Sequence, residues 1–290
     1  MAESGRLRIG ELSRRVGVSP ELLRAWETRY GLVDPDRTPG GLRLYSKEDE
    51  RRVLVMRRQI AAGLSAAEAA RVALEVPAVP VSPDAIVRGL DEALTALDEP
   101  AAQILLDRAF GSLALETSLG EVVIPFLHEL GVRWATTDRT IAQEHFASNV
   151  IGGRLRALSR GWGDGSGSLA LLACPSGEEH DLGMLCFGLL LHERGWRIVY
   201  LGAQTPTAEL AGVVAEIAPD VVVLGAIGAQ RFLDAADAIR SLAARTRVAI
   251  GGAGATAALA ALLGVEFLPG DLVAAARVLG TAGQADVAGD

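Results

Sequence analysis

Short apolar, β-prone runs alternate with helix-forming stretches in the C-terminal part of the chain, and this alternation restricts the possible folds more than any other feature. The runs are Leu169–Cys174, Arg197–Leu201, Val221–Gly225, Val248–Gly251 and Val265–Leu268. Strands that alternate with helices are typical of a parallel sheet with helices on both faces. The pattern predicts a five-stranded parallel Rossmann-like (flavodoxin-like) domain, in which ligands bind beyond the carboxyl ends of the strands.

Two breaks divide the chain into three predicted domains. The segment Val76–Pro83 holds three prolines, which cannot continue a helix. The segment Gly161–Ser168 is rich in Gly and Ser, which predicts a flexible linker. The predicted domains are therefore residues 1–76, 84–160 and 168–284.

The middle domain is rich in Ala and Leu at amphipathic helical spacing. Such stretches start near Asp84, Pro100, Thr117 and Thr140. Amphipathic helices joined by short connections bury their apolar faces against one another. The middle domain is therefore predicted to be a four-helix bundle, and the chain to be a multidomain protein with α and α/β parts.

The first domain begins with the pattern of a helix-turn-helix. The apolar face of its first helix is predicted to hold Ile9, Leu12 and Val16. Gly17 ends this helix, Ser19 is a good N-cap, and Pro20 is a good first residue for a second helix that runs to Tyr30. Two helices joined by a tight turn are the DNA-binding helix-turn-helix arrangement.

The remainder of the first domain predicts a wing and two further helices. A Gly pair lies between short β-prone flanks in Arg37–Tyr45, which favours a hairpin. Ser46, with Asp49 three residues later, predicts the start of a helix that runs to about Ala62. Ser65 predicts the start of one more. Together these elements form a winged helix-turn-helix.

The charge distribution favours contact with nucleic acid at the N-terminal end. The net charge is −8, but residues 1–76 hold 14 Arg and Lys against 11 Asp and Glu, a net of +3, and the rest carries −11. Only one of the 28 basic residues, Lys47, is a lysine. Arginine suits phosphates and guanine edges because its planar fork donates two parallel hydrogen bonds. A GC-rich genome also explains the shortage of lysine, but it does not explain the asymmetry.

Several protein classes are disfavoured. The longest apolar runs, such as Gly183–Leu191 and Val221–Ala229, are too short to span a bilayer, and the N-terminus lacks the apolar stretch of a signal peptide. Cys174 and Cys186 form no closely spaced pair, which disfavours a disulfide framework or a zinc site. We therefore expect a soluble, cytoplasmic protein.

The strongest single motif is Glu178-Glu-His180-Asp-Leu-Gly183, which follows the first predicted strand of the sheet. His180 can present an imidazole nitrogen to a metal, and a carboxylate two residues earlier can accept the other ring N–H. Gly183 would let a bulky ligand approach the start of the helix. Taken alone, six residues are also compatible with an ordinary surface histidine.

This motif resembles the Asp/Glu-x-His-x-x-Gly signature of cobalamin-binding domains. The resemblance implies that His180 is the lower axial ligand of cobalt and that it displaces the cofactor's own base. The pair Gly251-Gly252 resembles the Gly pair that gives room to the nucleotide tail, and Tyr200–Pro206 is also similar to the family. The third strand departs from the pattern, because Gly225 stands where a serine near the buried base is usual.

A second constellation lies in the predicted bundle, where Trp134 is followed after nine residues by Glu144-His145. It resembles the Trp-x9-Glu-His motif of cobalamin-dependent photoreceptor repressors of the CarH/LitR type. The resemblance implies that Trp134 covers the upper face of the corrin and packs against an adenosyl group. It also implies that Glu144 hydrogen-bonds the adenosyl sugar, with His145 beside it.

The N-terminal motif Trp26–Leu32, with Pro35, Arg37-Thr38 and Gly41-x-Arg43-x-Tyr45, resembles the MerR-type winged-helix head. Tyr45 belongs to this motif and is a candidate DNA-binding residue with the arginines. Arg24 and Arg29 lie on the candidate recognition helix. Further candidates for phosphate or minor-groove contacts are Arg14, Arg37 and Arg43.

The family resemblance covers residues 7–283. It implies a repressor that uses adenosylcobalamin as its chromophore. It also implies that the protein binds promoter DNA and assembles with copies of itself into a dimer or tetramer. One position departs from the photoreceptor pattern. The residue after Trp134 is often a histidine that captures cobalt after illumination, and here it is Ala135. His128 lies six residues before Trp134, a spacing that offers no reason to assign it this role.

Three other functions stay open at the level of sequence. The first is a sensor of cobalamin level without useful photochemistry, which Ala135 favours. The second is a cobalamin carrier subunit of a methyltransferase, which would need a substrate-activating domain from a partner. The third is a regulator with a vestigial cobalamin domain, which Gly225 favours and the intact Glu178 and His180 oppose.

Overall fold

The computed structural model describes residues 7–38, 41–61, 63–75, 82–135 and 140–287; for residues 75, 132–135 and 281–287 it describes the backbone alone. Gly40 of the predicted wing and most of the Val76–Pro83 segment lie outside the described residues. The chain divides into two compact units, with the boundary between Ser118 and Leu119.

The first unit contains the winged head and two of the predicted bundle helices. Its elements are α1 (Ile9–Val16), α2 (Pro20–Tyr30), β1 (Asp36–Arg37), β2 (Arg43–Leu44), α3 (Lys47–Ala61), α4 (Ala66–Glu75), α5 (Pro83–Thr95), α6 (Glu99–Ser112) and α7 (Leu115–Thr117). Strands β1 and β2 pair antiparallel, with Asp36 opposite Leu44. The predicted helix-turn-helix and wing are confirmed.

Local signals explain where the head helices begin and end. Gly17 adopts the left-handed conformation (φ +62°) that closes α1, and the Ser19 side chain accepts the Leu22 N–H at the start of α2. At the start of α3, Asp49 accepts the Ser46 N–H at 2.8 Å, and the Ser46 hydroxyl accepts the Asp49 N–H at 3.1 Å. These reciprocal bonds satisfy backbone donors that a helix start leaves free.

The head contacts α6 directly, which the sequence did not predict. Arg58 of α3 donates to the carbonyls of Phe110 and Leu113 at the C-terminal end of α6. Gly111 lies against Val55, where an added Cβ would sit 3.6 Å from a valine methyl. A cation at these carbonyls also offsets the negative end of the helix dipole.

The second unit contains the other two bundle helices and the α/β domain. A π-helical turn, Ser118–Val123, leads across the unit boundary from α7 into α8. The remaining elements are α8 (Ile124–Ala135), α9 (Ile141–Leu158), β3 (Leu169–Pro175), α10 (Leu182–Glu193), β4 (Arg197–Thr205), α11 (Leu210–Ile217), β5 (Val221–Gly225), α12 (Ala229–Asp234), α13 (Ala236–Ala243), β6 (Val248–Gly251), α14 (Ala257–Leu263), β7 (Glu266–Phe267) and α15 (Leu272–Val287). Of the helices in the described part of the chain, none has the length and apolar character needed to cross a membrane.

The sheet is parallel throughout, and its strand order is β4-β3-β5-β6-β7. Ala170 in the buried strand β3 pairs with Ile198 on one side and Val221 on the other. This is the doubly wound, flavodoxin-like order, whose ligand crevice opens where the chain switches direction, here between β3 and β5. The predicted five-stranded parallel domain is confirmed.

The Gly161–Ser168 segment is not the free linker that its composition predicts. Trp162 is 6% exposed, and its ring packs edge-on against Tyr200 with centroids 5.9 Å apart. The Trp162 carbonyl accepts the Ile198 N–H at 2.8 Å. A Cβ on Gly188 would come within 2.6 Å of the indole, so that glycine makes room for the ring. One buried aromatic therefore fixes the connection onto the sheet.

Candidate functional site

The loop after β3 carries the candidate metal ligand, and it lies at the crevice between β3 and β5. Glu178 from this loop accepts the Ile227 N–H, just beyond β5, at 2.8 Å. Gln204, just before β4 ends, approaches the same loop from the other side and donates its N–H to the Glu178 carbonyl at 2.9 Å. Gln204 has a left-handed φ of +53°, an uncommon conformation for a residue with a side chain. The sequence places Gln204 in the stretch Tyr200–Pro206 that is similar to the family, but it does not predict this contact.

Glu178 is a buried carboxylate that is saturated with donors. Its side chain is 4% exposed, and Oε1 accepts both the backbone N–H of His180 at 3.0 Å and Nδ1 of His180 at 2.7 Å. Burial raises the pKa of this carboxyl, but the backbone N–H groups of His180 and Ile227, with the imidazole, outweigh it and hold the pKa below its ordinary value. Glu178 is therefore an anion.

His180 is oriented by this anion. An ionised carboxylate only accepts hydrogen bonds, so Nδ1 carries a proton, and in the neutral imidazole the lone pair is on Nε2. The imidazole is 71% exposed although its partner is buried. An oriented imidazole with an available Nε2 is the usual form of a histidine metal ligand.

The neighbouring thiol is not a competing ligand. Cys174 Sγ lies 3.9 Å from the His180 carbonyl oxygen. Burial first, and then the charges of Asp181 and Glu178, raise the pKa of Cys174 to about 12. Because only a thiolate binds metal well, this protonated thiol is a poorer candidate ligand than His180.

The four candidate glycines differ in whether the surrounding chain leaves room for a side chain. A Cβ on Gly252 (φ +89°) would lie 2.6 Å from the Ala226 carbonyl oxygen, so this glycine is needed for backbone packing. A Cβ on Gly225 would overlap the Met184 methyl group, which occupies the space there. At Gly183 and Gly251 a Cβ would meet neighbours at ordinary distances, 3.7 Å and 3.6 Å.

The residues of the Trp-x9-Glu-His constellation lie at the end of α8 and the start of α9. Trp134 and Ala135 lie in the last turn of α8, and their side chains are outside the description. Glu144 Oε1 accepts the Ser148 hydroxyl at 2.7 Å, and its Oε2 is 3.5 Å from Nε2 of His145. The Glu144 side chain is half-buried and His145 is exposed.

The predicted DNA contacts fall into two groups. Arg14, Arg24 and Arg43 line one open cleft of about 510 Å³ between α1, α2 and the wing, together with Arg8, which was not among the predicted contacts. Arg29 lies five residues after Arg24, about 140° further around α2. Its guanidinium is 5.7 Å from the centre of the Tyr30 ring. Arg37 is exposed on β1.

One of these predicted contacts needs correction. Tyr45 is fully buried in the core of the head, so its ring cannot reach DNA. Its aromatic character serves packing, and burial raises the pKa of its hydroxyl. Arg43 remains a predicted contact: it lines the cleft, and its Nε donates to both carboxylate oxygens of Glu27 at 3.1 Å, which ties the wing to α2.

Three family models match the chain in the order in which these sites occur. The model described as MerR HTH family regulatory protein matches residues 7–75. Two models described as B12 binding domain match residues 86–159 and 168–282. The fold and the sites thus define a transcriptional regulator with a helix-turn-helix head and B12-binding domains.

Relatives narrow this class. The HTH-type transcriptional repressor CarA of Myxococcus xanthus is 36% identical over 271 residues, 90% of this chain and 92% of CarA. The repressor CarH of the same organism is 32% identical over 249 residues, 81% of this chain and 83% of CarH. The chain belongs to this family of MerR-type transcriptional repressors with B12-binding domains.

A solved structure supports the fold. The monomethylamine corrinoid protein of Methanosarcina barkeri matches with a TM-score of 0.59 at 16% identity, over 69% of this chain and 100% of that one. At this identity the likeness concerns architecture alone.

Proposed function

We propose that this chain is a repressor that binds adenosylcobalamin as a light-sensing chromophore, with His180 as the lower axial ligand of cobalt. The observation that carries the proposal is the 2.7 Å contact between Nδ1 of His180 and the buried Glu178 carboxylate, which leaves Nε2 exposed. A corrin ring brings its own equatorial nitrogen ligands, so one protein imidazole suffices below the metal. When bound, the cofactor would supply a cobalt–carbon bond that light can break.

The glycines support a large ligand at this edge of the sheet. Gly183 and Gly251 have no close neighbour that excludes a side chain, which is consistent with room kept for a ligand. The Met184 methyl group beside Gly225 makes that end of β5 apolar. A cofactor tail there would meet a thioether and not a hydroxyl, and we expect weaker polar anchoring of the tail.

On the opposite side of the cofactor we propose Trp134 against the upper corrin face, with Glu144 toward the adenosyl sugar and His145 beside it. Glu144 is already oriented by the Ser148 hydroxyl and is close to His145. Both residues lie in the first turns of α9, within the same compact unit as the His180 loop.

The arginine cleft of the head is proposed to contact promoter DNA. Arg8, Arg14 and Arg24 are exposed around it, and clustered guanidinium groups suit adjacent phosphates. A single head reads only a half-site, so we propose a dimer or tetramer whose state light controls. Contacts to the adenosyl group that are lost on illumination would bias that state.

The first test is a spectrum of the protein reconstituted with adenosylcobalamin, before and after green light. His180→Ala should lose the His-ligated spectrum and bind the cofactor much more weakly. Unchanged affinity and spectrum in this variant would refute His180 as the ligand. Glu193→Ala, at the other end of α10, is a control that should retain wild-type binding.

The second test concerns the upper ligand after illumination. The Ala135 methyl group cannot bind a metal, and His128 lies two turns earlier on α8, about 10 Å along the helix axis. We therefore expect no bis-imidazole spectrum in the wild type, and its appearance in Ala135→His. If the wild type shows that spectrum and it disappears in His128→Ala or His145→Ala, the substitute ligand is identified and our expectation is wrong.

The third test is DNA binding by the full chain. Log affinity should fall linearly with log salt, and Arg8→Ala and Arg14→Ala should each reduce the slope by about 1. Arg160→Ala, an exposed arginine after α9, is the charge-matched control. If no promoter fragment is shifted in any cofactor state, DNA binding by this head is refuted.

One observation favours a second candidate, a sensor of cobalamin level. Ala135 offers no side-chain ligand to trap an illuminated state. In that case cobalamin itself, and not light, would change the oligomeric state and the DNA affinity. Sedimentation of the apo, dark and illuminated forms distinguishes the two functions.

A further inference from the structure

We propose that Arg156 is a positioning residue that holds Asp181 and, through it, the segment that presents His180. This inference rests on the proposed role of His180 as the axial ligand. It adds a second anchor to that segment, after His180 in the chain where Glu178 comes before it, and it places that anchor on helix α9.

Asp181 occupies the N-cap position of α10 but does not cap the helix. Aspartate is among the best N-cap residues, because its carboxylate normally accepts backbone N–H groups of the first turn. Here Oδ2 instead accepts the Tyr200 hydroxyl at 2.7 Å and an N–H of Arg156 at 3.0 Å. The carboxylate next to His180 is thus directed to two other elements, β4 and α9.

The path of the Arg156 side chain depends on Gly152, one turn earlier on α9. A Cβ on Gly152 would lie 2.7 Å from Nη1 of Arg156 and 3.1 Å from a methyl group of Leu182. The glycine therefore allows α9 to approach the start of α10 and leaves space for the guanidinium. This gives a local reason for a glycine inside a long helix, where it is otherwise unfavourable.

The position of the Tyr200 side chain is fixed by a hydrogen bond and by a ring contact. Burial, followed by the hydrogen bond to Asp181, raises the pKa of the tyrosine hydroxyl, so the hydroxyl remains a donor. Its ring packs against Trp162 at an interplanar angle of 85°. Asp181 is therefore tied to β4 as well as to α9.

His180 lies between two fixed points. On one side Glu178 is bonded to Ile227 beyond β5, and on the other Asp181 is bonded to Tyr200 and Arg156. Removal of the Arg156 bond should therefore increase the range of orientations of the imidazole. Helix α9 also carries Glu144, about 18 Å from Arg156 along the axis, so the same bond couples that helix to the His180 loop.

The test uses the full chain, cob(II)alamin as the probe, and protein labelled with ¹⁵N-histidine. In the EPR spectrum a ¹⁵N axial ligand splits each cobalt line into two, whereas the ¹⁴N of the cofactor's own base splits it into three. We expect doublets in the wild type and a mixture with triplets in Arg156→Met. Affinity should fall about three- to tenfold, less than the roughly 10–100-fold typical of a direct partner of the ligand, because Arg156 is half exposed.

Matched variants separate positioning from general damage. Arg156→Lys keeps a cation and should restore most of the doublet signal, and Arg160→Met should behave as wild type. If Arg156 acts through Asp181, the double variant with Asp181→Asn should be no worse than Asp181→Asn alone. In apo protein, hydrogen exchange should accelerate at residues 180–185 in Arg156→Met and stay unchanged in β6.

The failures of the two proposals are distinguishable. Triplets in the wild type would show that His180 is not the ligand, which overturns the proposed function and this inference with it. Doublets in the wild type, with the same spectrum and affinity within twofold in Arg156→Met, would overturn the positioning role alone.

Discussion

Replacement of Glu178 by glutamine tests the central geometric argument. The carboxylate accepts three N–H groups, two from His180 on Oε1 and one from Ile227 on Oε2. An amide has one acceptor oxygen, so its NH₂ must face a donor on one side. The less costly orientation keeps both His180 bonds and leaves the Ile227 N–H without its acceptor.

The number of hydrogen bonds lost in Glu178→Gln sets the expected losses of stability and cofactor affinity. The Ile227 N–H is part-buried, so the loss of its acceptor should cost about 1 kcal/mol of unfolding free energy, the low end of the range for buried donors. The imidazole also loses a charged acceptor, and changes of this kind reduce metal affinity by roughly 10–100-fold. Glu178→Gln should therefore show both losses, and Glu178→Ala, which removes every acceptor, should show larger ones.

Urea unfolding of the apo protein measures the first loss, and spectroscopic titration with cobalamin measures the second. Glu179→Gln is the matched control, because Glu179 is exposed and its carboxylate accepts a hydrogen bond from the Gln204 side chain at 3.0 Å. It should change stability by less than about 0.5 kcal/mol. Wild-type affinity in Glu178→Gln, with weakened binding in Glu179→Gln, would refute the orientation of His180 by Glu178.

Three further outcomes are expected. Gly252→Ala should cost about 1–3 kcal/mol in urea unfolding, because its Cβ would meet the Ala226 carbonyl at a positive φ, whereas Gly183→Ala should leave apo stability intact. Tyr45→Phe should retain stability and DNA affinity, since the buried hydroxyl has no hydrogen-bond partner among the described residues; a stable variant that binds DNA weakly would contradict its core role. The lowered pKa of Glu178 means that its ionised form stabilises the fold above the unfolded pKa, and that this contribution disappears as pH falls below about 4.5. The difference in unfolding free energy between wild type and Glu178→Gln should therefore shrink from pH 6 to pH 3. A difference that stays constant over this range would contradict a lowered pKa of Glu178.

Features that depend on near neighbours along the chain could be predicted from the sequence. Gly17 and Ser19 set the ends of the head helices through local backbone and capping geometry. The period of apolar residues predicted the five strands, and β5 and β6 agree in their bounds with the prediction. The Glu178–His180 pair was predicted as well, because its partners lie two residues apart and adopt their contact within one loop.

Only the tertiary structure decided which side chains of similar chemistry are available for function. Tyr45 was predicted as a DNA contact and is buried, because packing of α1 to α4 and not its own neighbours sets its exposure. Trp162 turns a Gly/Ser-rich segment into part of the core, and Asp181 leaves its helix N-cap for Arg156, 25 residues away in the chain. Contacts over such separations depend on how the elements pack, and no local pattern encodes them.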